Sequence, residues 1–216
     1  SDGQFKYIGL GVGAWSSGGD MNTARGATMG GGSLTSGITA TGTSGGGTYH
    51  GETETYDGSS WTEEGDVNTD RGFSGGAAAN SEACTIFGGT NPGTANVIDL
   101  TEVFNGSAWS EDADLNTGRA RGTSAGVIST AALLIGGRVN SPSSNLGIVE
   151  SWNGTAWSEV GDISTVRTNA GSFGTSTSAV VATGSSTANA ETYDGSSWTE
   201  VSNANTARIE LTGSGA

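Results

Sequence analysis

The sequence predicts an all-β fold: a small β-propeller of about five units, each with up to four antiparallel strands, spanning 1–216 as one domain. Three observations predict it. Tryptophan and arginine recur as a pair at fixed spacing. The repeat length falls in the range of propeller blades. Within each repeat, short apolar runs end in turn residues, and no stretch carries a capped helical period.

The pairing of tryptophan with arginine is the strongest signal. Trp15, Trp61, Trp109, Trp157 and Trp198 are each followed ten residues later by Arg25, Arg71, Arg119, Arg167 and Arg208. A threonine stands two residues before each arginine. Seven residues before the last four tryptophans stands a glutamate: Glu54, Glu102, Glu150 and Glu191. The intervals between tryptophans are 46, 48, 48 and 41 residues.

The strands follow from local chemistry. The first strand of each unit follows the arginine and is rich in small residues, as in Gly72–Ala77, which suits a crowded position near an axis. The second strand is apolar, as in Ala132–Ile135, and stops at a glycine seventeen residues after the arginine: Gly42, Gly88, Gly136 and Gly184. The third carries Glu-x-aromatic and ends in Asp-Gly or Asn-Gly, the dipeptides of tight hairpins. The fourth begins at the tryptophan. Wrapping the chain head to tail places Gly9 after Phe5–Ile8 at the position of a second strand. The reading therefore closes the last blade with segments from both termini, which removes open sheet edges. The alternative is a slice of a longer array.

Composition narrows the function. Glycine makes up 39 of 216 residues against a usual share of about 7%. Two prolines and regularly spaced aromatics argue against both collagen and disorder. The net charge of −14, with eight basic residues, disfavours nucleic acid and anionic membrane surfaces. No apolar run reaches the length of a membrane-spanning helix. One cysteine, Cys84, and one histidine, His50, cannot build a cysteine-rich zinc site or a copper radical centre. A Ser–His–Asp triad with His50 is formally open, but no nucleophile elbow surrounds it. No cofactor or metal ligand set is expected. The repeat arginines are expected to pair with the repeat glutamates and with carbonyls, tying neighbouring blades. The tryptophans are expected between blades.

Arginine, an apolar strand ending in paired glycines, an aromatic before a turn and tryptophan about five residues on together resemble the kelch repeat. The glycine pair is complete at Gly88-Gly89 and Gly136-Gly137 and reads as Gly42-Thr43 and Gly184-Ser185 elsewhere. The segments Glu191–Glu200 and Asn205–Arg208 are similar to the Gly/Ser/Thr-rich kelch-like repeats of marine bacteriophage structural proteins. That resemblance implies a viral structural protein or extracellular component.

Unit length varies mostly between the glycine and the glutamate, in Thr43–Thr53, Thr90–Thr101, Arg138–Val149 and Ser185–Ala190. These read as loops sharing one face, and they hold the idiosyncratic residues. Tyr49, His50, Asn91, Arg138 and Asn140 are therefore the candidate ligand-binding set. The expected function is a non-enzymatic module in a virion or on an extracellular surface. It would contact glycan or protein on a cell surface, or other virion proteins. A ligand-free spacer and a polysaccharide-acting enzyme are the alternatives.

Overall fold

The computed structural model describes residues 18–93, 96–140 and 143–211. The described chain is all-β, with 18 strands in antiparallel sheets. Four four-stranded sheets follow one another along the sequence. Sheet I comprises β1 (Met29–Ser33), β2 (Ser36–Ser44), β3 (Thr48–Tyr56) and β4 (Trp61–Glu63). Sheet II comprises β5 (Gly75–Asn80), β6 (Ala83–Phe87), β7 (Thr101–Phe104) and β8 (Trp109–Asp112). Sheet III comprises β9 (Thr123–Ile128), β10 (Ala131–Ile135), β13 (Val149–Trp152) and β14 (Trp157–Val160), with a small hairpin of β11 (Arg138–Asn140) and β12 (Ser143–Asn145) inserted. Sheet IV comprises β15 (Gly171–Thr175), β16 (Ser178–Ala182), β17 (Ala190–Tyr193) and β18 (Trp198–Val201). The expected fifth unit, with Trp15 and most of the segments meant to close it, falls on residues 1–17 and 212–216, outside the described residues; residues 209–211, the described start of its closing segment, belong to no strand.

Within each sheet the strands lie in chain order, so each is a simple meander. The first strands of successive sheets lie side by side, β1 against β5, β5 against β9 and β9 against β15. Each fourth strand begins at the repeat tryptophan and continues with acidic and polar residues that are mostly exposed. Charged outer edges discourage pairing with another sheet.

The core lies in the seams between sheets. One cluster joins Met29 and Ile38 of sheet I to Cys84, Ile86, Phe104 and Trp109 of sheet II. A second joins Phe87 and Leu115 to Leu134, Trp152 and Trp157. A third joins Leu133, Ile135 and Val149 to Ala179, Val181 and Tyr193, with Trp198 packed against it. Each meander buries its apolar face on its neighbour. Trp157 meets Phe87 of the preceding sheet edge-on, with ring centroids 4.7 Å apart, a favoured aromatic geometry.

The turn between third and fourth strands is built the same way in every sheet. Asp57 Oδ1 accepts the backbone N–H groups of Ser59 and Ser60 at 2.8 and 2.9 Å. Asn105, Asn153 and Asp194 do the same in the other three. The following glycine has φ between 94° and 99° in all four, which explains why a residue without Cβ stands there.

Two expectations need correction. Thr43–Thr53 is not a loop. β2 and β3 run on as a paired ribbon to Ser44 and Thr48, with Gly45–Gly47 at its tip. The threonines and Tyr49 suit strands, and Gly46 and Gly47 supply the left-handed backbone the tip requires, at φ 84° and 82°. The glycine register also shifts. The N–H groups of Gly42, Gly89, Gly137 and Gly184 each donate to the carbonyl of the next repeat arginine. The true counterpart of Gly88-Gly89 is therefore Thr41-Gly42 and Thr183-Gly184. Thr41 and Thr183 both keep the left-handed φ of 63° that a glycine holds in the middle units.

Candidate functional site

Each connection between sheets carries the repeat arginine, and backbone hydrogen bonds dock it on the sheet it leaves. Val67, Leu115 and Ile163 are buried, and their N–H groups donate to Gly51, Asp99 and Gly147. The connection then grips the sheet it enters. Arg71 pairs with Glu102 and Arg119 with Glu150; Arg167 pairs with Glu191 at 2.6 Å and Arg25 with Glu54 at 2.8 Å. All eight side chains are 0 or 1% exposed.

The carboxylates do more than neutralise. Glu150 also accepts the N–H groups of Asn116 and Thr117 and the Asn116 amide. Arg119 donates further to the carbonyls of Thr117, Leu134 and Gly136. Burial pulls the Arg71, Arg119 and Arg167 guanidinium pKa values down, opposed by the facing glutamates. Burial also works against ionisation of Glu54. The N–H groups of Asn22 and Thr23 and the Arg25 charge outweigh it and hold that carboxyl below the ordinary value. Arg71, Arg119 and Arg167 thus spend their donors inside the protein, whereas the buried Nε and Nη2 of Arg25 have no partner among the described residues.

Two residues beyond each repeat arginine, the backbone makes a second recurring feature. The N–H of Phe73 donates to Ala27, Arg121 to Phe73, Asn169 to Arg121 and Glu210 to Asn169, at 2.9 to 3.1 Å. All five residues are left-handed, with φ from 52° to 60°. Non-glycine residues held there carry on the order of 1–3 kcal/mol of strain each, offset in part by the bond that links each to its neighbour. The backbone is the same in every unit, yet the side chains are Ala, Phe, Arg, Asn and Glu. All five line a central cavity of about 540 Å³, together with residues from β1, β5, β9 and β15 or just before them.

A smaller cavity of about 160 Å³ shares Phe73 and Arg121 with the central one and adds Tyr49, Thr90, Ala120, Arg138 and Asn140. Three of the five sequence-derived candidates, Tyr49, Arg138 and Asn140, thus converge from β3 and β11. The Arg121 guanidinium lies over the Phe73 ring, 3.8 Å from its centroid.

The other two candidates lie apart. Asn91 lines neither cavity, and its N–H donates to the Asn96 carbonyl. His50 follows Tyr49 on β3, so it points to the opposite face of the ribbon. Its Nδ1 is 3.0 Å from Glu52 Oε2 and its Nε2 is 2.8 Å from Ser44 Oγ. The Glu52 carboxyl lies below its ordinary pKa. Burial opposes the shift, but its own backbone N–H, the His50 ring and Arg25 outweigh it. Cys84 is fully buried, and burial pushes its thiol pKa far up.

Sequence reading missed Phe73 and Arg121. It sought variation in loop length, whereas the informative position sits at constant spacing beside an invariant residue. The signal was present: two residues after each repeat arginine, the chemistry changes completely.

Among the described residues, no group of three or more His, Cys, Asp or Glu side chains could hold a metal ion, and no helix is long and apolar enough to cross a membrane. Compared with known protein-family models and with curated proteins, the chain matches neither.

Proposed function

We propose that the chain is a kelch-like propeller acting as a non-enzymatic binding module, with the mouth of its central cavity as the contact surface. The observation that carries this reading is the convergence of Tyr49, Arg138, Asn140, Phe73 and Arg121 on one cavity, while four of the five repeat arginines, Arg25, Arg71, Arg119 and Arg167, are buried in internal pairs and Arg208 is exposed. Rigid sheets present variable side chains from an invariant backbone, a common design for recognition. The resemblance of the repeats to phage structural proteins supports a place on a virion or another extracellular surface. The partner is then a glycan or protein of a cell surface.

The test is a glycan array and a cell-surface pull-down with the full chain, beside an Arg121→Gln, Tyr49→Ala double variant. Wild type retains a ligand that the variant loses by tenfold or more. A protein that retains nothing in either format, or a variant as active as wild type, overturns the reading in favour of a spacer.

A second reading rests on the Ser44–His50–Glu52 line, whose connectivity is that of a hydrolytic triad. None of the three residues lines either cavity described above, so the binding reading is preferred. Covalent labelling of Ser44 by a fluorophosphonate, abolished in His50→Ala, would reverse that preference.

A further inference from the structure

We propose that the small cavity beside Arg121 is a subsite for one sugar unit bearing a single carboxylate, such as a uronic or sialic acid residue within an otherwise neutral glycan. The proposal rests on the reading of the cavity mouth as a binding surface and names its ligand class.

Arg121 differs from the repeat arginines in its partners. Among the described residues it has no carboxylate partner, in contrast to Arg119 two positions earlier, which is locked to Glu150. The residue is half-buried, and its guanidinium lies over Phe73. Stacking occupies the face of the guanidinium and leaves the N–H donors in its plane. That planar fork matches a carboxylate in two-bond geometry. The cation is therefore both positioned and chemically uncommitted to an internal acid.

Arg138 lines the same cavity, so two guanidinium groups border it. Tyr49 and Phe73 add aromatic surface, and Asn140 and Thr90 add amide and hydroxyl groups. A sugar acid asks for this mixture: an apolar ring face, hydroxyls that donate and accept, and one anionic group. Glu210 lies elsewhere on the left-handed series, with Asn169 between it and Arg121, and it lines the central cavity but not the small one.

The cavity is small. About 160 Å³ is well below the ~300 Å³ at which drug-sized pockets begin. It suits one ring, with the rest of a glycan running into the wider central cavity.

The protein as a whole is strongly acidic. Eight basic residues face 22 acidic ones, and four of the eight are buried in ion pairs. A densely charged polyanion reaching beyond the cavity meets an acidic surface. A lone carboxylate inside it lies beside the two guanidinium groups that line the cavity, Arg121 and Arg138, at a range where salt screens little. Sparse charge is accepted and dense charge repelled.

The experiment is calorimetric titration of the full chain with two monocarboxylate probes, sialyllactose and a glucuronate-capped neutral trisaccharide. Controls are the carboxyl-reduced form of each, polygalacturonate, a sulfated oligosaccharide and an acidic peptide. At least one monocarboxylate binds, its reduced form binds tenfold or more weakly, and Arg121→Gln weakens the acid by a similar factor and the reduced form by much less. Arg121→Lys keeps the charge without the fork and falls between. Matching thermal melts for the variants show that folding is intact.

Equal binding of acid and reduced sugar, or an unaffected Arg121→Gln, overturns the subsite while leaving the wider binding reading in place. Tighter binding of polygalacturonate, the sulfated sugar or the peptide also overturns it. If no probe binds but the array or pull-down still finds a ligand, the subsite alone fails; if those fail as well, both readings do.

Discussion

Arg119 and Arg121 stand two residues apart and do opposite things. Arg119 is 1% exposed, donates to three backbone carbonyls and pairs with Glu150. Arg121 is partly exposed, stacks on Phe73 and borders two cavities. One belongs to a position that never changes from unit to unit, the other to a position that always does. The difference teaches where to look in such a chain. Invariance marks the connections that hold sheets together, and variability on an invariant backbone marks what the sheets present.

The comparison is broken most forcefully by substituting each arginine with methionine, which keeps the length and removes the charge. Arg119→Met leaves the Glu150 carboxylate buried and unpaired, a defect of about 3–5 kcal/mol. Arg121→Met removes a cation with no internal acid and costs within about 0.5 kcal/mol, as for an ordinary surface change. Urea unfolding followed by tryptophan fluorescence measures both. Similar losses in the two variants would mean that Arg121 is as structural as its neighbour, and the functional reading of the mouth would lose its basis.

The same contrast explains what was legible in the sequence. Strands were readable because tryptophan opens every outer strand and because Asp-Gly or Asn-Gly closes every third one. The arginine–glutamate pairing followed from the residue types and their shared recurrence. Tyr49, Arg138 and Asn140 stood out as departures from the repeat. The β2–β3 extension was not legible, because Gly45–Gly47 looks like a loop until the flanking threonines are seen to pair. The register of the glycine pair was not legible either. Thr41 and Thr183 hold a backbone conformation that β-branched residues avoid, so glycine alone could not mark the position. Phe73 and Arg121 escaped because their signal shows only when the units are compared position by position, and the hydrogen bonds from one unit to the next place them in one series with Ala27, Asn169 and Glu210.

A smaller effect sharpens the comparison within the invariant part. The indole N–H groups of Trp109 and Trp157 each donate to a threonine hydroxyl of the preceding sheet, Thr53 and Thr101, at 2.9 Å. The equivalent position before Trp198 is Val149, and the buried Trp198 Nε1 has no partner among the described residues. Two seams are bonded and one is not. Thr101→Val orphans the Trp157 N–H and costs about 1–2 kcal/mol. Val149→Thr supplies the missing acceptor at the cost of one methyl group, for a net gain of about 1 kcal/mol. Opposite signs in chemical denaturation confirm that the seams differ by this bond. A loss in both variants would show that the sheet III–IV seam is packed for valine.

The smallest effect separates the four turns by chemistry. Asp57 and Asp194 hold their turns with ionised carboxylates, while Asn105 and Asn153 use neutral amides in the same geometry. Hydrogen bonds from the serine N–H and hydroxyl groups lower both aspartate pKa values to about 2. A carboxyl lowered in the folded state stabilises it fully above the unfolded value of about 3.9 and loses that stabilisation as pH falls towards 2. The Asp57→Asn, Asp194→Asn double variant should therefore match wild type at pH 7 and become relatively more heat-stable between pH 4 and pH 2. Both side chains are fully exposed, so the shift in melting temperature is small and calls for circular dichroism at closely spaced pH values. A constant difference between the two proteins from pH 5 to pH 2 would show that the serine N–H groups hold the protonated and the ionised carboxyl equally well, and that the mixed use of Asp and Asn at this turn carries no electrostatic consequence.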